Sequence, residues 1–145
     1  MAFLKETDYE VQLRSEIASL IDTTSEKTKL KTAEDMAISQ IKNYLGGRYD
    51  LSKIFVDAPA DGETDTRDAW IITITIDMAL YHIWSKEGGN RIPQTRSDRY
   101  ADALDWLRAV QKGAATNLPV ITDDNEQPVY DVRIKSKHQP ENNRY

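Results

Sequence analysis

The sequence predicts an all-α fold: a small four-helix bundle followed by an extended C-terminal arm that carries one short β-strand. Three observations predict it. Apolar residues recur at helical spacing in four separate segments of residues 1–113. Those segments are bounded by capping or stop chemistry. The one clear period-two alternation, Val129-Tyr130-Asp131-Val132-Arg133-Ile134, stands alone beyond them.

The first helix is expected over about Asp8–Ile21. Thr7 is its N-cap, with Glu10 three residues on completing a capping box. Its apolar positions are Val11, Leu13, Ile17, Leu20 and Ile21, and Asp22-Thr23-Thr24-Ser25 is a polar break after it. The second helix is expected over about Glu26–Leu45, on the stripe Leu30, Ala33, Ala37, Ile41, Tyr44 and Leu45, with Gly46-Gly47 as its C-cap. Residues 56–65, Val-Asp-Ala-Pro-Ala-Asp-Gly-Glu-Thr-Asp, read as a mobile surface excursion. Thr66 or Asp65 is the expected cap of the next helix.

That third helix, Ala69–Ser85, is the most apolar stretch of the chain. Ile71-Ile72-Thr73-Ile74-Thr75-Ile76 is β-branched and favours strand locally. Seventeen residues with no turn signal are too long for an ordinary strand, so length decides for helix. Wound as a helix, Trp70, Ile71, Ile74, Met78 and Tyr81 share one face, and Ile72, Ile76, Ala79, Leu80 and Ile83 the opposite one. Two narrow polar seams separate them, Thr73 with Asp77 and Thr75 with His82. A helix apolar on two faces is buried on two sides. In so small a chain, one face can meet the domain's own helices and the other a neighbouring subunit. Lys86-Glu87-Gly88-Gly89-Asn90 is its stop. Pro93 is placed to start the fourth helix, about Gln94–Lys112. Tyr100, Ala103, Leu104, Leu107 and Val110 form its inner face, Trp106 its edge and Gly113 its C-cap.

After Gly113 helical periodicity fades, and three of the five prolines follow. This divides the chain into a helical domain, residues 1–113, and an arm, residues 114–145. The arm reads as flexible when alone in solution. Its strand, with Tyr130, Val132 and Ile134 on one side and Val129 at its start, has no sheet in this chain to join. Such a segment suits addition to the sheet edge of a partner.

Composition sets further bounds. With 145 residues, one domain with a modest core is expected. Met1-Ala2-Phe3-Leu4-Lys5 leads straight into polar sequence, which predicts no signal peptide. No apolar run reaches the ~20 residues of a membrane span, so no membrane partner is expected. The absence of cysteine excludes disulfides, thiolate catalysis and cysteine-type zinc sites. A net charge of −5 argues against a broad basic footprint for nucleic acid. It suits a surface that DNA passes without adhering.

Chemistry is sparse. His82 lies in the apolar helix and reads as a satisfied packing or interface residue, and His138 as solvated. There is no nucleophile motif or histidine–carboxylate metal spacing, and Gly88-Gly89 is a helix stop rather than a phosphate cradle. The acidic runs Asp57…Asp65 and Asp123–Glu126 do not follow the order of calcium-loop ligands and read as solvated loops. Arg91, Arg96, Arg99 and Arg108, interspersed with Asp98, Asp102 and Asp105, read as a solvated or subunit-facing surface. The three tryptophans read as core. No catalytic residue, metal or cofactor is expected, and the chain is not read as an enzyme.

The order of motifs is informative. The second helix ends Tyr44-Leu45-Gly46-Gly47-Arg48-Tyr49. The last carries Arg99-Tyr100-x-Asp102-Ala103-Leu104-x-Trp106-Leu107. Over about Lys5–Gly113 this resembles the phage head–tail connector (adaptor, or head-completion) proteins. That family places prolines soon after the Arg-Tyr. Here Asp50-Leu51-Ser52-Lys53 stands in their place, and the loop that follows is long.

The resemblance implies a structural virion subunit at the head–tail interface, assembled in the host cytoplasm. It implies a homo-oligomeric ring, typically dodecameric, beneath the portal vertex. Such a ring extends the DNA channel, without sequence-specific binding, and offers a platform to the next neck or tail protein. The arm, through Val129, Tyr130, Val132 and Ile134, is the expected portal-docking segment. Ile72, Ile76, Leu80, Ile83, Trp84 and Trp106 are the expected subunit-interface residues. The alternatives are another tail-completion or neck protein, and a small helical DNA-binding or regulatory module.

Overall fold

A computed structural model describes residues 2–10, 28–87, 92–123 and 125. Its helices are α1 (Glu6–Glu10), α2 (Thr28–Leu45), α3 (Leu51–Ile54), α4 (Ala69–Glu87) and α5 (Gln94–Gln111). The all-α expectation holds. Among the described residues the only β-pairing with both partners on view is one isolated antiparallel bridge, Tyr49 with Val120. The expected first helix beyond Glu10, the stop at residues 88–90, Arg91, His138 and the strand Val129–Ile134 lie outside the described residues.

The three long helices pack on one another. Contacts fix their directions. Trp70 meets Trp106 and Tyr81 meets Tyr100, so α4 and α5 run antiparallel. Gln40 bonds Tyr100 while Arg48 lies against Gly113, so α2 runs alongside α5 in the same direction. The core is Ala37, Ile41 and Leu45 from α2, Ile71, Ile74, Ile76, Met78 and Leu80 from α4, and Ala103, Leu107 and Val110 from α5.

α4 shows tertiary structure overriding local preference. β-branched residues lose up to about 0.7 kcal/mol each in a helix, whereas full burial of one Ile stabilises by roughly 1.5–3 kcal/mol. The threonines cost little, because each hydroxyl donates back along the helix. Thr73 Oγ1 reaches Ala69 O at 2.9 Å, and Thr75 Oγ1 reaches Ile71 O at 2.6 Å. Most of both apolar faces of α4 is covered inside the single chain. Ile71, Ile74 and Met78 on one side, and Ile76, Ala79 and Leu80 on the other, are all essentially inaccessible. Only Ile72 of the second face stays half-buried, so little of that face is left for a neighbouring subunit. α4 packs on both α2 and α5.

Several ends differ from expectation. α4 is capped by Asp68, whose Oδ1 accepts from Ile71 N at 3.0 Å; Asp65 is engaged with Arg67 instead. Gly46 and Gly47 close α2 without left-handed backbone, through the bonds of Arg48 N and Tyr49 N to Leu45 O. Gly113 does act as predicted: at φ +112° it donates to Val110 O, while Ala114 N reaches Ala109 O. These two bonds are a Schellman closure of α5. The short α3, not anticipated, begins where Asp50 Oδ1 accepts from Ser52 N at 3.1 Å.

Residues 56–65 are not a free excursion either. Ala58 N donates to Ala2 O at 3.0 Å, and Phe55 meets Phe3 edge-on with centroids 5.1 Å apart. The start of the arm folds back onto the body. Asp50 N donates to Pro119 O at 2.9 Å and Ile121 N to Arg48 O at 3.0 Å, while Leu118 is buried in the core. The packed unit thus runs past Gly113 to Ile121, because Leu118 joins the apolar core and the flanking backbone is bonded to residues 48–50.

Candidate assembly surface

Among the described residues, buried Arg67, Asp77 and Arg96 join elements to one another. Arg67, with its side chain wholly enclosed, is the hub of one joint. Its Nε and Nη2 donate to the two oxygens of Asp65 at 2.9 and 2.7 Å. Its Nη1 and Nη2 donate to Asp8 Oδ2 and Oδ1 at 2.7 and 3.0 Å, and Nη1 also reaches Phe3 O at 2.6 Å. One guanidinium thereby ties the N-terminal segment, α1 and the loop before α4 together. The bonds from Arg67 hold the Asp65 carboxyl at about 2, and the two carboxylates push the Arg67 pKa up.

A second joint is Asp77 of α4 with α5. Arg96 Nη1 lies 3.4 Å from Asp77 Oδ1, and Arg99 Nη1 3.9 Å from Oδ2. Burial raises the Asp77 pKa against the pull of Arg99 and Arg96, and burial lowers that of Arg96. Arg96, expected on a solvated or subunit-facing surface, is buried in the chain's own body, where it reaches Asp77. A third joint links α1 to α2: the Tyr9 hydroxyl donates to Glu34 Oε1. Burial raises both pKa values, that of Tyr9 further because Glu34 is negative.

The end of the bundle where α2, α4 and α5 meet carries an aromatic–polar cluster. Tyr81 and Tyr100 stack at 3.9 Å, and Gln40 Nε2 donates to Tyr100 Oη at 3.1 Å. His82 Nε2 bonds Gln40 Oε1 and meets Tyr100 edge-on. The imidazole is thus a satisfied packing group, as its apolar setting predicts.

The expected interface residues separate into two sets. Ile76, Leu80 and Ile83 lie inside the chain's own core. Ile72, Trp84 and Trp106 are half-buried and border solvent. The signal missed in the sequence is Trp70, read there as core. It is 45% exposed and crosses Trp106 at 6.0 Å, 75° between planes. It stands in the first turn of α4 beside fully buried Ile71, and among the described residues its outer face is left to solvent. On the same helix as Trp106, α5 presents Asp98, Asp102, Asp105 and Arg108 to solvent. Asp105 pairs with Arg108 at 3.3 Å, while Asp98 accepts from Gln94. Exposed tryptophan is a residue type enriched in protein interfaces.

The family-motif residues are largely structural. Leu45, Tyr49, Ala103 and Leu107 are buried, Tyr44, Arg48, Tyr100 and Trp106 are half-buried, and Arg99 and Asp102 are exposed. The portal-arm residues Val129, Tyr130, Val132 and Ile134 lie outside the described residues. Among the described residues no helix is long and apolar enough to cross a membrane. A family model described as "Bacteriophage Mu, Gp36" matches residues 7–132. No curated protein and no solved structure matches the chain.

Proposed function

We propose that this chain, which belongs to the bacteriophage Mu Gp36 family, is a structural virion protein acting as a head–tail connector subunit. In this reading it assembles as a ring beneath the portal vertex, extends the DNA channel and supports the next neck or tail component. The observation that carries the reading is the family match over residues 7–132, which takes in the bundle and the start of the arm.

The geometry is compatible with it. Buried Arg67, Asp77 and Arg96 are used in ion pairs between elements, and Trp70 lies exposed against half-buried Trp106. The body anchors the arm up to Ile121, and in this reading the stretch beyond it is the part that meets a partner. Docking by Val129, Tyr130, Val132 and Ile134 would use backbone bonds for affinity and alternate side chains for register. Many arms around one ring would make that attachment multivalent.

The test is mass photometry of the full chain, alone and mixed with portal assemblies, beside a chain lacking residues 127–145. The full chain is expected to load portal assemblies as a closed ring and the shortened chain to fall off them. Full occupancy by the shortened chain defeats the docking role. Failure of the intact chain to load at all defeats the connector reading.

A further inference from the structure

The arginines of the described residues fall into two groups. Arg67, Arg96, Arg99 and Arg108 each face a carboxylate. Arg48 faces none among the described residues. It is half-buried in a recess of about 200 Å³ lined by Asn43, Tyr44, Gly47, Tyr49, Val110 and Gln111, with no acidic side chain in the lining. Its guanidinium is held over the end of α5: a methyl group added at Gly113 would lie 3.7 Å from Nη1. The negative end of the α5 dipole explains that placement. It leaves the guanidinium donors without a side-chain acceptor among the described residues. The backbone beneath is fixed, because Arg48 N donates to Leu45 O and Arg48 O accepts from Ile121 N. A pre-positioned, half-desolvated guanidinium beside hydroxyl and amide groups favours a carboxylate, which it can hold through two parallel bonds.

The same chain carries the complementary group. Residues Ala60–Glu63 form a tight turn closed by Glu63 N to Ala60 O at 3.0 Å, with Gly62 at φ +88° and open space around it. Asp61 is exposed at the tip of that turn and, among the described residues, has no cationic partner. Other exposed carboxylates are placed differently: Glu10, Asp35 and Asp102 stand on helices, Asp57 lines the recess beside Phe3, and Glu63 accepts from Ala60 N. Asp61 is carried at a narrow tip. A cation lacking a carboxylate and a carboxylate lacking a cation, on separate parts of one surface, are the two halves of a head-to-tail contact, the kind that closes rings.

We propose that the Arg48 recess is a socket for the Asp61 carboxylate of a second copy of this chain. The proposal rests on the ring reading above and assigns that ring one of its contacts.

The experiment is mass photometry of the full chain, alone and with portal assemblies, on Arg48→Gln, Asp61→Asn and the exchange Arg48→Asp with Asp61→Arg. Each single variant is expected to weaken self-association at least about tenfold, as loss of one partner of an interfacial charge pair does. The exchange is expected to recover most of it. A second measurement is independent of how well those variants fold. The native chain has no cysteine, so Asn43→Cys and Asp61→Cys proteins, mixed and oxidised, should give a disulfide-linked heterodimer that neither gives alone, nor Asn43→Cys with Glu10→Cys. Unchanged association of both single variants, or no heterodimer under conditions where the wild-type chain assembles, overturns the socket and leaves the ring standing. A wild-type chain that is monomeric alone and on portal assemblies overturns both.

Discussion

Arg67 joins segments 59 residues apart in sequence through one planar group. A guanidinium enclosed on every side stabilises only while its carboxylates remain, and the converse also holds. Arg67→Ala should therefore cost about 3 kcal/mol, because it leaves Asp8 largely buried without its cation. Urea unfolding at neutral pH measures it. Asp65 gives the pH dependence. Its folded pKa, about 2, lies below the ordinary 3.8. The stability it adds is present above 3.8 and is lost as pH falls towards 2. The urea midpoint of Asp65→Asn should fall below that of wild type at pH 7, and the gap should narrow between pH 4 and 2. Asp65 is part-exposed, so solvent screening keeps this gap small. Glu34 and Asp77 act in the opposite sense. Burial raises both, so each withdraws stability as pH rises through the carboxylate range.

Helix ends here are decided by single residues whose loss has a known scale. Removing the Asp68 cap by Asp68→Ala should cost about 1 kcal/mol, read as a lower midpoint with an unchanged denaturant slope. Gly113→Ala places a side chain in left-handed backbone beneath Arg48 and should cost roughly 1–2 kcal/mol. Leu107→Ala empties space at the centre of the α5 contact and should cost about 2–5 kcal/mol. α4 itself was legible from length. Seventeen apolar-rich residues without a turn exceed a strand, whatever Ile and Thr prefer locally. Its cap was not legible, because Asp65, Thr66 and Asp68 all carry capping oxygens. The claim of Arg67 on Asp65 settles the choice, and that claim depends on α1 lying nearby.

For the whole molecule, the body extends past the Schellman glycine. A chain ending at Gly113 should unfold at lower temperature than one ending at Glu126, because it loses buried Leu118 and the two backbone bonds that join residues 119–121 to residues 48–50. Circular dichroism melts of the two truncations test this without any partner. Equal melting temperatures would mean that the fold-back contributes nothing to stability.

The division between what was readable and what was not follows from range. Periodicity, caps and stops are written within one helical turn, so residues alone determined the helical class, the stripe Ala33–Ala37–Ile41–Leu45 and the inner face Ala103–Leu107–Val110. The likeness of Tyr44–Tyr49 and Arg99–Leu107 to phage proteins was likewise a matter of sequence. Which neighbour covers each face was not. A stripe reports that a side is apolar, while its burial depends on what another segment brings to it. Only the tertiary structure enclosed most of both sides of α4, left Trp70 outside, drew Arg96 in to Asp77 and left Arg48 among the described residues without a carboxylate.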